Sequence, residues 1–402
     1  MKKLLTLALC LGAVTAVNAQ KAVVDQAAKL SGKEDKLPQA RELIQQAIQN
    51  PETAKDARTY FVGGKLEYDV YDKARTKQMI NPKDESLNPL EMANEVVNGY
   101  NLFMQALPLD SVPNEKGQIK PKYSKDIAAK VNDHYQDYWN AAITFYNNKN
   151  YYPEAYEAFM IYGNLPKSPL ANKFVAAMPD SVANQAFFNA GLSAYAANKL
   201  PESAAAFKKG RLNGSDNVQN YIYELACWQY MAQKDSTMEA PAKDAIEEIA
   251  TAGYKKFGIS EMLFIRNLLN AWVQDGKNQQ ALDLLSEQMG ANPDNAALYG
   301  LRAYVYDRMN KDEEAIADYL KAASLPDADF ETLKAASRKL FNVGAVKLNS
   351  LESSDAAGRQ QVKAQYFDTA KTIADKAKSL NPDDSGIDTI IENIDYALTT
   401  YF

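Results

Sequence analysis

Residues 303–326 read AYVYDRMNKDEEAIADYLKAASLP, with Ala303, Tyr306, Ala315, Tyr319, Ala322 and Pro326 at intervals of 3, 9, 4, 3 and 4. The spacing recurs one period upstream. Leu269, Trp272, Ala281 and Leu285 precede Ala303, Tyr306, Ala315 and Tyr319 by 34 residues each, and Pro293 precedes Pro326 by 33. A fixed period of this size marks an array of one repeated supersecondary unit. Positions three and four apart share a helix face, so Tyr299, Ala303 and Tyr306 line one stripe of a first helix and Ala315, Tyr319 and Ala322 one stripe of a second. Two helices approach closely only where the crossing side chains are small, which places the crossing at Ala303 and Ala315. Ala315→Leu is therefore expected to cost about 1–3 kcal/mol through overpacking. Thermal denaturation checks this, and an unchanged melting temperature would reject the register. Asp312-Glu313-Glu314 opens the second helix, at the positive end of its dipole, and Pro326 stops it.

Similar spacing extends in both directions. Ile265, Leu268-Leu269, Trp272, Ala281, Leu285 and Pro293, with Gly276 at the turn, form the preceding unit. Phe187, Ala190-Gly191, Ala194, Ser203, Phe207 and Gly210 fit the same frame. So do Tyr223, Ala226-Cys227, Tyr230, Ala245, Ile249 and Ala252, and further upstream Tyr138, Ala141-Ala142, Phe145, Ala155, Phe159 and Tyr162. Leu340, Val343-Gly344 and, after an insertion, Ala370, Ala374, Ala377 and Pro382 add a downstream unit. Ala40, Ile44, Ala47 and Pro51, then Gly63 and Leu66, then Gly99, Phe103 and Ala106 are weaker versions near the start. Period-2 alternation is almost absent, while Gly and Pro cluster between the periodic segments, as at Pro51, Pro108 to Pro121, Pro166 to Pro169, Pro293, Pro326 and Pro382.

These residues resemble the tetratricopeptide repeat family, of an exported bacterial type. In that family the first helix carries a large residue, a Leu-Gly-like pair and an aromatic, and the second carries Ala-x3-aromatic, Ala and Pro. Arg302 departs from the pattern, putting a charge where the family has Leu. The resemblance implies an all-α fold, an α-solenoid superhelix of about eight helix-turn-helix units. Its expected divisions are a signal peptide over 1–19, degenerate units with a long loop over 20–125, the array proper over 126–386 and a capping helix over 387–402.

The chain has 402 residues, 46% of them hydrophobic, and a formal net charge of −6. Met1-Lys2-Lys3, the apolar run Leu4 to Val17 and the small-residue exit through Ala19 read as a secretory signal, with Gln20 as the first residue after cleavage. The run is too short for a bilayer span, which needs about 20 apolar residues. Cys10 sits in a poor lipobox, since Leu9 stands where a small residue belongs. Cleavage leaves Cys227 as the one cysteine, so no intramolecular disulfide forms. Losing Lys2 and Lys3 moves the net charge to −8, the wrong balance for nucleic acid, and no later segment is apolar enough to cross a membrane.

Catalytic constellations are missing. His134 is the only histidine, and no HExxH, GxSxG, GxxxxGK[ST] or paired CxxC occurs. His134 precedes the helix of Tyr138 and reads as an exposed or capping residue. Cys227 occupies a small-residue place and reads as a buried packing thiol. The sequence therefore points to no enzyme, no metal and no cofactor.

In the family, the places three before and one after the Gly-like position tend to face the inner surface of the superhelix. Here the first set is Trp139, Phe188, Glu224, Arg266, Gly300 and Phe341, and the second Ile143, Leu192, Trp228, Asn270, Tyr304 and Ala345. Arg266 and Asn270 resemble half of the family's basic clamp for a peptide's terminal carboxylate, while Glu224 and Gly300 do not suit it. The candidate partner-binding residues are thus Trp139, Phe188, Trp228, Arg266, Asn270, Tyr304 and Phe341. Their aromatic members serve either as a platform for peptide side chains or sugar rings, or as packing between units. The expected function is a non-enzymatic, exported scaffold, periplasmic or at the cell surface, that binds a protein or extended peptide and associates with a cell-envelope complex. The alternative is a glycan-binding protein of a polysaccharide-utilising bacterium.

Overall fold

The computed structural model describes residues 22–113 and 116–402. The signal segment over 1–19 and Cys10 lie outside the described residues. Every regular element among the described residues is helical, and the chain divides into two compact units, one ending at Ala242 and one spanning Lys243–Phe402.

The first unit holds α1 (22–30), α2 (Leu37–Gln49), α3 (Ala57–Ile80), α4 (Pro89–Asp110), α5 (Ser124–Asp133), α6 (Tyr135–Tyr146), α7 (Tyr152–Asn164), the short α8 (Lys173–Ala176), α9 (Asp180–Ala196), α10 (Leu200–Leu212) and α11 (Val218–Lys234). Helix α12 (Glu239–Phe257) crosses the division. The second unit continues with α13 (Met262–Gln274), α14 (Asn278–Ala291), α15 (Ala296–Arg308), α16 (Asp312–Ser324), α17 (Phe330–Asn349), α18 (Ala356–Val362), α19 (Thr369–Leu380) and α20 (Ser385–Tyr401). Sequence neighbours pair within each unit, as α3 on α4, α6 on α7 and α9 on α10 in the first and α15 on α16 and α19 on α20 in the second, so each unit is a stack of helical hairpins.

The opening stretch becomes the α15–α16 hairpin, and its small residues sit where predicted. Ala303, Ala315 and Ala322 are 0% exposed and Tyr319 is 3% exposed. Tyr306 is only half-buried. Arg302, the departure from the family pattern, forms a bidentate pair with Asp318 of α16, its Nε and Nη2 donating over 2.6 and 2.7 Å. The charge is thus spent inside the hairpin rather than on a partner. In the α9–α10 hairpin the crossing is tighter, for a Cβ on Gly191 would lie 2.5 Å from the Phe207 ring. Pro108, expected in a connector, stands inside the last turn of α4.

First helices end by a common device. Asn198, Gly276 and Asn310 adopt left-handed backbone at φ 56°, 73° and 56°, a region open to Gly and Asn at low steric cost. The following amides of Lys199, Lys277 and Lys311 donate back to the carbonyls of Ala194, Trp272 and Tyr306 at 2.9, 2.8 and 3.0 Å. That is the Schellman closure of a helix end. The downstream insertion forms α18 and a π-turn, Lys363–Asp368, whose Tyr366 and Phe367 pack over Gly344 of α17.

Candidate functional site

The candidate residues all stand on first helices, but they do different work. Trp139 on α6 is half-buried, its ring edge-on to Phe159 at 5.2 Å and tilted against Tyr162 at 5.3 Å. Phe341 on α17 meets Phe367 edge-on at 5.7 Å. Trp228 on α11 packs against the buried cluster of Ala204, Phe207, Cys227 and Met231. Each of these rings leans on its neighbours and leaves only part of its surface to solvent.

In the second unit Asn270 and Tyr304 occupy equivalent places on α13 and α15. The Tyr304 hydroxyl donates to Asn270 Oδ1 over 2.8 Å, a rung between adjacent first helices spaced by one period. Burial raises the Tyr304 phenol above its ordinary range, so it stays a donor. Arg266 donates to Asp329, the N-cap of α17, whose carboxylate also accepts from the Thr332 amide over 2.7 Å. Burial alone would raise the Asp329 carboxyl. Thr332 and Arg266 outweigh it and hold the group below the usual carboxylate range. Arg266 therefore already has its carboxylate partner within the chain.

Phe188 is different, because it lines a groove of about 480 Å³ between α9 and the turn leading into α11. The other wall residues include the amides Asn184, Gln185, Asn213 and Asn217 and the acids Asp180 and Asp216, with Asn220 fully buried behind them. The backbone holds them in place. Gly214 takes a left-handed φ of 78°, and Ser215 N closes the end of α10 on the Gly210 carbonyl at 3.0 Å. Asn217 then caps α11 by accepting from Gln219 N over 3.0 Å. Asn213 Nδ2 donates to Asn184 Oδ1 over 2.7 Å, tying the turn to α9. Behind the rim, Phe188 rests on Phe207 at 5.8 Å and Tyr223 at 6.1 Å. An amide donates and accepts at once, so this lining complements groups that do the same.

The amide wall was not predicted. Its residues come from two helices and a turn, and no periodicity distinguishes a groove asparagine from a turn asparagine. Glu224, one of the places expected to face inward, is instead 1% exposed and forms a bidentate pair with Arg211, itself 6% exposed. It belongs to the interior between α10 and α11.

His134 is the C-cap of α5 and the N-cap of α6, so the capping alternative holds, while its 3% exposure overturns the exposed one. Its ring stacks on Tyr68 at 4.7 Å, and its Nδ1 lies 2.9 Å from Asp137 Oδ2, which also accepts from Arg75 over 2.7 Å. The long helix α3 folds over it, and the acids of α3 and α6 supply its polar partners. Cys227 is 1% exposed, burial raises its thiol above the ordinary range, and its Sγ lies 3.4 Å from Ser203 Oγ. Among the described residues no group of three His, Cys, Asp or Glu side chains is placed to hold a metal, and no helix is long and apolar enough to cross a membrane.

No protein-family model matches the chain, and no curated protein does. Among solved structures, similar chains include the tetratricopeptide domain of P58(IPK), at 11% identity over 95% of this chain and 98% of that one with a TM-score of 0.27. Yeast Tom70 is similar at 12% identity over 95% of each chain, TM-score 0.30. The Cut9–Hcn1 hetero-tetramer of APC/C is similar at 15% identity over 92% of this chain and 86% of that one, TM-score 0.29.

Proposed function

We propose that the chain is a non-enzymatic, exported scaffold that binds an extended peptide segment of a partner protein along its first helices, with the groove at Phe188 as the principal contact. The observation that carries this reading is the groove's lining of amides around one aromatic ring. An extended peptide presents N–H and C=O groups in alternation, and amide side chains pair with both without demanding a particular sequence. Phe188 adds an apolar surface for one side chain, and its support by Phe207 and Tyr223 limits the ordering cost of binding. Export rests on the signal-like segment over 1–19, and with it a place in the periplasm or at the cell surface, where an envelope complex would supply the partner.

The test is binding of the full chain to an array of extended peptides and, in parallel, to a glycan array. Reproducible peptide binding is expected, and Asn184→Ala and Phe188→Ala should each weaken it by about tenfold, the effect of losing 1–2 kcal/mol at an interface centre. Circular dichroism should show both variants folded. Glycan binding without peptide binding would replace this reading with the glycan-binding one, since hydroxyls also donate and accept. Peptide binding that ignores both substitutions would place the site elsewhere.

A further inference from the structure

A second groove, of about 420 Å³, is enclosed by α2, α3 and α4 and shares no lining residue with the groove at Phe188. At its centre one guanidinium serves two carboxylates. Arg41 Nε donates to Glu67 Oε1 over 3.0 Å, and Nη2 donates to Glu67 Oε2 over 2.7 Å and to Glu95 Oε1 over 3.0 Å. Glu67 and Glu95 are 9% and 8% exposed. The set carries an excess negative charge, and Glu91 adds another carboxylate to the lining. Glu95 Oε2 is buried and accepts no hydrogen bond from another protein group. A buried carboxylate oxygen without a donor is costly, and native structures leave few such atoms without a reason.

Protonation would remove the charge, and burial does push the Glu95 carboxyl above the usual range, its single contact with Arg41 being insufficient to hold it down. The proton would then be a buried hydroxyl hydrogen needing an acceptor of its own. A cation in the groove offsets the charge, and with a turn of the Glu95 side chain toward the groove it also supplies the missing donor. Asn94 and Asn98 line the same groove and offer carbonyl oxygens to the remaining N–H groups of such a cation. A metal ion fits less well, because Arg41 already occupies the space between the carboxylates and no metal-holding group of acids is present among the described residues.

We propose that this groove is a binding site for an organic cation, the guanidinium or alkylammonium end of a ligand, which donates to Glu95 and completes a set of two carboxylates and two cations. The inference does not depend on the reading of the groove at Phe188. A basic side chain of a bound peptide and a free organic cation share this chemistry, and the test separates them.

Isothermal titration calorimetry on the full chain uses four probes: end-blocked Gly-Gly-Arg-Gly-Gly, the same peptide with neutral citrulline for arginine, n-butylguanidinium and calcium chloride. The arginine peptide or n-butylguanidinium should bind, and the citrulline peptide should bind about tenfold or more weakly, the effect of losing a charge-assisted hydrogen bond. Tighter binding of the peptide identifies a basic segment as the natural source, and equal binding identifies a free cation. Glu95→Gln should lower affinity about tenfold or more while leaving the circular dichroism spectrum unchanged. Asn98→Arg, at an exposed position on the groove wall, should abolish binding by supplying the cation from within, and it decides the matter should Glu95→Gln fail to fold. Equal affinity for the arginine and citrulline peptides, binding insensitive to Asn98→Arg, no heat from either organic probe, or calcium competing for the site would each overturn the proposal.

Discussion

Replacing Glu224 by alanine is expected to destabilise the first unit by about 3–5 kcal/mol, the range for breaking a buried ion pair from one side. The Arg211 and Glu224 side chains are only 4% and 1% exposed. Arg211 donates from Nε and Nη2 to the two carboxylate oxygens over 2.7 and 3.0 Å. Removing the carboxylate takes both bonds from a guanidinium that water cannot reach, whereas removing both partners leaves no charge to desolvate. Arg211→Met with Glu224→Leu should therefore recover most of the loss, and Glu224→Gln should fall between. Urea denaturation followed by far-ultraviolet circular dichroism reads the series, each transition being fitted by itself where the two units unfold separately. A single Glu224→Ala variant as stable as the parent would show that the pair contributes nothing net.

A comparable loss, about 3–5 kcal/mol, is expected for Phe207→Ala, a large aromatic removed from a packed interior. Phe207 is 0% exposed and lies against Gly191, close enough that a Cβ there would sit 2.5 Å from the ring. The glycine and the ring are thus one packing unit. Gly191→Ala alone should destabilise by overpacking, while the same change in a Phe207→Leu background should cost less, because leucine leaves room for a methyl group. That coupling is measurable as a double-mutant cycle, and strict additivity would contradict the contact. Phe207 also supports Phe188, so Phe207→Ala should disturb the amide groove beyond its effect on stability.

How much of this was legible beforehand varies with the kind of interaction. The hairpins were readable because Ala303, Ala315 and Tyr319 must recur at helical spacing for the units to stack, and a recurring constraint leaves a recurring mark. Arg302 was visible as an exception, but its explanation needed Asp318 to be seen facing it across the hairpin. The burial of His134 and Glu224 escaped notice because each depends on a partner supplied by another helix, Asp137 with Tyr68 in one case and Arg211 in the other. The groove at Phe188 was half legible. Its aromatic occupies a periodic place, whereas Asn213 and Asn217 occupy places fixed by local turn geometry, where asparagine is common for reasons unrelated to binding, and Asn184 is a helix residue outside the repeat pattern.

The closures at Asn198, Gly276 and Asn310 bear on the length of the molecule. Each joint is sealed by the same pair of backbone bonds, and a lysine follows each one. A stretch cut or copied between two such joints begins and ends in the same conformation. Gly276 and Asn310 stand 34 residues apart, one period, so the gain or loss of that stretch keeps the same closure at its ends. That stretch is one division of a ruler, able to be lost or copied whole.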